Sequence, residues 1–131
     1  VIVLDHTTAP LATRHPTLLG IAASAPIDPR DRVVIPLLCL VSALGDKQAG
    51  LVANDLGALE GLDFAPLDFT AFHHVEQLAA AGAPWGLGHA VHVVQASGPR
   101  AHDRYDSVII TTDPDAYSRF TGIVAIDLAG L

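Results

Sequence analysis

Three short apolar runs, Val1-Ile2-Val3-Leu4, Val33-Val34-Ile35 and Val108-Ile109-Ile110, constrain this chain most. Each is rich in β-branched residues and none alternates with polar ones, which is how strands buried on both faces read. Helical stretches separate them, so the expected connections are right-handed crossovers. The expected fold class is α/β, a three-layer sandwich with a mainly parallel sheet and helices on both faces.

The remaining elements follow from caps and breakers. Pro16 opens a helix to Ala25, and the cluster at 26–32 reads as a loop. A strand from Arg32 to Ile35 leads to a helix from Pro36 to Leu44, interrupted by Gly45 and Asp46, and another helix should cover Ala49 to Glu60. Leu62 to Leu67 reads as a strand. Asp68 then caps a helix with Phe72, Val75, Leu78 and Ala79 on its apolar face, ended by Ala81-Gly82-Ala83-Pro84. Pro84 starts a further helix to about Ser97, and 98–106 is a polar loop. Ser107 to Thr112 is a strand, Asp113-Pro114 begins a helical turn, and Gly122 to Leu128 is the last strand.

At 131 residues, half of them apolar, the chain suits a single domain spanning 1–131 with one well-developed core. No apolar run approaches the eighteen or so residues of a membrane span. The first residues carry neither a basic region nor a cleavage site, so the expectation is a cytoplasmic protein without a membrane role. The lone cysteine, Cys39, lies in an apolar run and reads as a buried, inert thiol. Net charge is −7, with Lys47 and six arginines as the only fixed cations, so the chain lacks the broad basic surface of a strong nucleic-acid binder.

In parallel sheets, ligands gather at the carboxyl ends of the strands where strand order reverses. Asp5 and Asp113 both stand at such ends, and would converge if their strands are neighbours. Two carboxylates suit Mg²⁺ or Mn²⁺, which take oxygen ligands and can activate a water against a phosphodiester. The competing reading is structural: Asp5 caps a turn through the Thr7 or Thr8 amide, and Asp113 is a helix N-cap before proline. Other enzyme classes lack their parts. The chain has no phosphate-binding loop and no nucleophile elbow, Gly86-Leu87-Gly88 lacks the strand that should precede a dinucleotide fingerprint, and Lys47 is misplaced for a receiver domain.

Val-Ile-Val-Leu-Asp5, Val33-Val34-Ile35-Pro36 entering a helix, Gly88-His89-Ala90-Val91-His92 and Thr111-Thr112-Asp113 occur in the order and at the spacings of a PIN domain, and across nearly its whole length the chain resembles that family of metal-dependent ribonucleases. The resemblance implies four acids meeting at the carboxyl edge around Mg²⁺ or Mn²⁺. Asp5 matches the first and Asp113 the last, whereas Ser42 and His89 stand at the second and third, so the site is degenerate by two carboxylates. Asp115 is a substitute ligand or a solvated first-turn acid, and His89 a ligand or proton carrier. The resemblance implies either a ribonuclease, as the toxin of a toxin–antitoxin pair, or an inactive scaffold that binds a protein partner or RNA.

Lesser candidates complete the set. His89 and His92 lie three apart on one helix, a chelating spacing that lacks a third ligand; adjacent His73 and His74 point to different faces and receive no role. Trp85 is expected to pack the helix entrance, or to stack a base if exposed. Arg14, Arg30, Arg32 and Arg119 are candidate phosphate contacts. Leu51, Leu56, Leu59 and Phe72 suit a homodimer or antitoxin-binding face, or the core.

Overall fold

The computed structural model describes residues 1–25, 27, 32–43, 54–96 and 107–131. Its strands are β1 (Ile2–Leu4), β2 (Val33–Pro36), β3 (Leu62–Ala65), β4 (Val108–Thr111) and β5 (Val124–Asp127). The longer helices are α1 (Pro16–Ser24), α2 (Leu37–Ala43), α3 (Phe69–Ala80) and α4 (Trp85–Ala96), and residues 54–57 are helical. Short 3-10 turns occupy Ala9–Leu11, Pro114–Tyr117 and Leu128–Gly130. Arg30, Leu51, the segment 44–53 and the expected polar loop at 98–106 lie outside the described residues.

The five strands form one parallel sheet in the order β3-β2-β1-β4-β5. The chain builds outward from β1 to β3, returns, and builds outward again on the other side, so the order reverses between β1 and β4. Those two strands are direct neighbours, with Leu4 beside Ile110. Asp5 and Thr111 are therefore the next residues beyond the paired ends, at the position where a doubly wound sheet opens a crevice.

Alternation along β1 sends Leu4 to one face and Val3 to the other. Leu4 joins Leu18, Ile35, Leu56, Leu62 and Ile110 under α1 and the helical residues 54–57. Val3 joins Val34, Cys39, Leu87, Val91, Ile109 and Tyr117 under α2 and α4. The sheet is thus covered on both faces. No helix among the described residues is long and apolar enough to cross a membrane.

Local chemistry explains where elements stop. Asp68 caps α3 by accepting from the Ala71 amide at 2.8 Å. At the other end, Gly82 takes φ +96°, its amide donates to the Ala79 carbonyl and that of Ala83 to the Leu78 carbonyl, a Schellman closure that frees the chain to turn into α4. Gly61 is required for a different reason: a Cβ there would stand 1.7 Å from the Ala22 carbonyl oxygen, so α1 rests directly on the backbone entering β3.

Several expected details shift. Pro36 ends β2 rather than opening α2, since its fixed φ is compatible with a strand end and β2 pairs through it. The expected face of α3 is rotated: Ala71 and Val75 are buried and Leu78 packs behind them, while Phe72 is half-exposed. Trp85 is 67% exposed and does not pack the helix entrance, because Gly86, Leu87 and Gly88 are the residues α4 turns inward.

Candidate functional site

Asp5 is fully buried at the end of β1. Its Oδ1 accepts from the Thr7 amide at 2.9 Å and the Thr7 hydroxyl at 2.6 Å, with the Thr8 amide at 3.3 Å. The Thr8 hydroxyl has one proton and spends it on the Ile110 carbonyl at 2.7 Å, its 3.4 Å approach to Asp5 being the weaker option. Oδ2 accepts from the Tyr117 hydroxyl at 2.7 Å. The expected turn-capping role of Asp5 is present, and Tyr117 adds a contact on the remaining oxygen.

The bonds continue across the switch point. The Thr112 amide donates to the Thr7 hydroxyl oxygen at 2.9 Å, and the Thr111 and Thr7 hydroxyls lie 3.3 Å apart. The Asp113 amide donates to the Thr111 hydroxyl at 3.1 Å. A relay of two threonine hydroxyls thus ties the end of β4 to the Asp5 carboxylate. Asp113 occupies the N-cap position of the 3-10 turn without a side-chain cap bond, and both Asp113 and Asp115 are exposed.

Tyr117 returns to Asp5 because the 3-10 turn at Pro114–Tyr117 reverses the chain directly after β4. Its ring is 2% exposed. Burial first, then the Asp5 charge and hydrogen bond, push its hydroxyl far above the ordinary phenol range, so it remains a proton donor. The Cys39 thiol donates to the Gly86 carbonyl at 3.0 Å, and burial followed by the Asp5 charge raises it well beyond any thiolate-forming range. Cys39 is buried, as expected.

The two positions where the resemblance expects acids meet a single residue instead. Ser42 donates its hydroxyl to the Leu38 carbonyl at 2.7 Å, and His89 accepts the Leu38 amide on Nδ1 at 3.1 Å. The helix α2 follows β2 without a polar N-cap, and the His89 ring supplies the acceptor its first turn needs. That bond leaves the proton on Nε2, which is buried. Burial, then His92, lower His89 from 6.5 to about 4, against the opposing pull of the Pro66 carbonyl and the Asp68 carboxylate. At neutral pH the ring is uncharged.

The other candidates disperse. Arg32 precedes β2, at the sheet's amino edge opposite Asp5, and pairs with exposed Asp63 at 2.6 Å. Arg119 lies 4.9 Å over the Phe120 ring and reaches the Ala81 carbonyl, and Arg14 is exposed. Leu56 is buried in the core and Leu59 packs against it, leaving Phe72 as the described member of that set with substantial exposure. Among the described residues, no three His, Cys, Asp or Glu side chains form a group able to hold a metal ion.

Two features escaped sequence reasoning. Tyr117 carried a faint signal, an amphipathic residue in the turn after a strand-end acid. His74, given no role, faces His92 across the α3–α4 hairpin with their Nδ1 atoms 2.8 Å apart, while His73 meets Gln77. Burial and then His74 lower His92 below the usual histidine range, partly countered by Asp68.

A scan of family models returned no match. A search of curated proteins likewise returned none. Among solved structures, the chain is similar to a chain of the crystal structure of DNA-bound VapBC from Salmonella typhimurium, at TM-score 0.60 and 18% identity, over 96% of each chain. That likeness establishes the fold: a five-stranded parallel α/β sheet arranged as in that structure.

Proposed function

We propose that residues 1–131 form one PIN-like domain of the VapC kind, whose acidic edge no longer assembles a divalent-cation site and which acts by binding a protein partner of the antitoxin kind. The observation carrying this reading is the engagement of Ser42 and His89 with the two backbone groups of Leu38. At the positions where the resemblance expects acids, His89 is engaged in holding α2 and Ser42 bonds back within that helix, leaving Asp5, Asp113 and Asp115 as the acids that follow β1 and β4. Asp5 is already bonded on both oxygens. Such a donor set does not fit Mg²⁺ or Mn²⁺, which need several free oxygens.

The fold shared with a chain of a VapBC assembly supports the choice of partner class. Exposed Val41, Phe69, Phe72 and Trp85 supply apolar surface for it, or for a second copy of the chain. The competing reading, a Mg²⁺- or Mn²⁺-dependent endoribonuclease, draws on Asp5 and Asp113 following adjacent strands at one edge.

The deciding experiment is incubation of a mixed RNA substrate with Mg²⁺ or Mn²⁺ and either the wild-type protein or an Asp5→Asn, Asp113→Asn double variant. The scaffold reading expects intact RNA with both proteins and both metals. Metal-dependent cutting by the wild type that disappears in the variant would replace it with a nuclease of reduced ligand set.

A further inference from the structure

α3 and α4 form an antiparallel hairpin packed closely along its length. Gly88 of α4 lies against the Leu78 and Val75 side chains of α3, where an added Cβ would be 3.6 Å from Leu78 Cβ and 3.7 Å from Val75 Cγ1. On this frame His74 of α3 and His92 of α4 face each other, Nδ1 to Nδ1 at 2.8 Å, ring centroids 5.0 Å apart and planes at 74°. Both rings are partly open to solvent. Without a metal, one Nδ1 carries the proton that the other accepts.

We propose that His74 and His92 form a two-histidine site for a transition-metal cation, Zn²⁺, Ni²⁺ or Cu²⁺, with solvent completing the coordination. Zinc–nitrogen bonds of about 2.0–2.1 Å at a tetrahedral angle place two ligand nitrogens roughly 3.3 Å apart. The pair therefore has to open by only about half an ångström, within reach of small side-chain rotations. The near-perpendicular rings keep their edges clear of each other. Ligation through both Nδ1 atoms leaves each ring protonated on Nε2, so one ring changes tautomer and no proton is lost overall.

Imidazole selects these ions over Mg²⁺. The negative charge of Asp68 acts on His92 and favours a cation there. No third His, Cys, Asp or Glu joins the pair among the described residues, so the coordination stays open to water or to a ligand from a partner. The site uses none of the Asp5, Asp113 or Ser42 side chains, and stands or falls apart from the reading of that edge.

Thermal unfolding of the untagged protein with Zn²⁺ or Ni²⁺ alone tests it. A metal held at roughly tenfold over its dissociation constant should raise Tm by about 4 °C. The rise should vanish in His74→Gln and in His92→Gln and persist in His73→Gln. No rise in the wild type, or a rise that survives both substitutions, overturns the proposal. Should the variants misfold, substoichiometric Cu²⁺ added to the wild type gives an independent reading by NMR. The ring signals of His74 and His92 should broaden first, and equal broadening of all seven histidines would sink the site.

Discussion

The two faces of the sheet solve the same packing problem with different materials. Beneath α1 the core is aliphatic, built from Leu4, Leu18, Ile35, Leu56, Leu62 and Ile110. Beneath α2 and α4 the cluster contains Cys39 and Tyr117, with fully buried His89 and Asp5 beside it. The first face is held by area removed from water. The second depends on directional bonds as well, because each buried polar group must find a partner or carry the cost of its absence. Polar atoms concentrate where the strand ends open, so the face that makes the candidate site is also the one whose stability is tunable by chemistry.

This contrast can be attacked from its strongest side first. Leu4→Ala removes a fully buried side chain from the aliphatic face and should cost about 3–4 kcal/mol, lowering Tm by roughly 10–15 °C in calorimetry. A loss no larger than that of the polar substitution below would erase the distinction between the faces.

A pH series probes the second face. Because burial lowers His89 from 6.5 to about 4, the unfolded chain takes up a proton that the folded chain refuses between those values. His89 therefore imposes no penalty above about pH 6.5, and stability falls as pH drops toward 4, by up to about 3 kcal/mol from this group. His89→Gln keeps an acceptor for the Leu38 amide and removes the titration. Urea midpoints across this range should fall less steeply in the variant, and parallel curves would remove His89 from the explanation.

The smallest effect expected is that of Tyr117→Phe. Without the hydroxyl, Asp5 Oδ2 loses its donor in a buried position, at a cost of about 2 kcal/mol in urea unfolding at neutral pH. An unchanged midpoint would mean that water serves the oxygen equally well.

The strands were readable in the sequence because continuous β-branched runs announce burial on two sides, and Asp5 and Asp113 could be placed at strand ends by counting outward from Leu4 and Ile110. The bonds that define the site were not readable. Tyr117 meets Asp5 across 112 residues, and His89 meets Leu38 across 51, so both depend on which strands become neighbours. Neither pairing has a local pattern. The outward turn of Phe72 and Trp85 was missed for a related reason: hydrophobic periodicity marks a helix's apolar residues but not which of them faces the rest of the protein. The partnership of His74 with His92 depends on the register of the α3–α4 hairpin, in which the closure at Gly82 turns one helix into the next.

The bond from Leu38 to His89 has a consequence for the order in which the molecule assembles. The acceptor for the Leu38 amide of α2 arrives from a segment 51 residues downstream. The chain must close that long loop before the acceptor is in place. The link from Leu38 to α4 is therefore a product of tertiary assembly, and it forms only after α4 itself has been made.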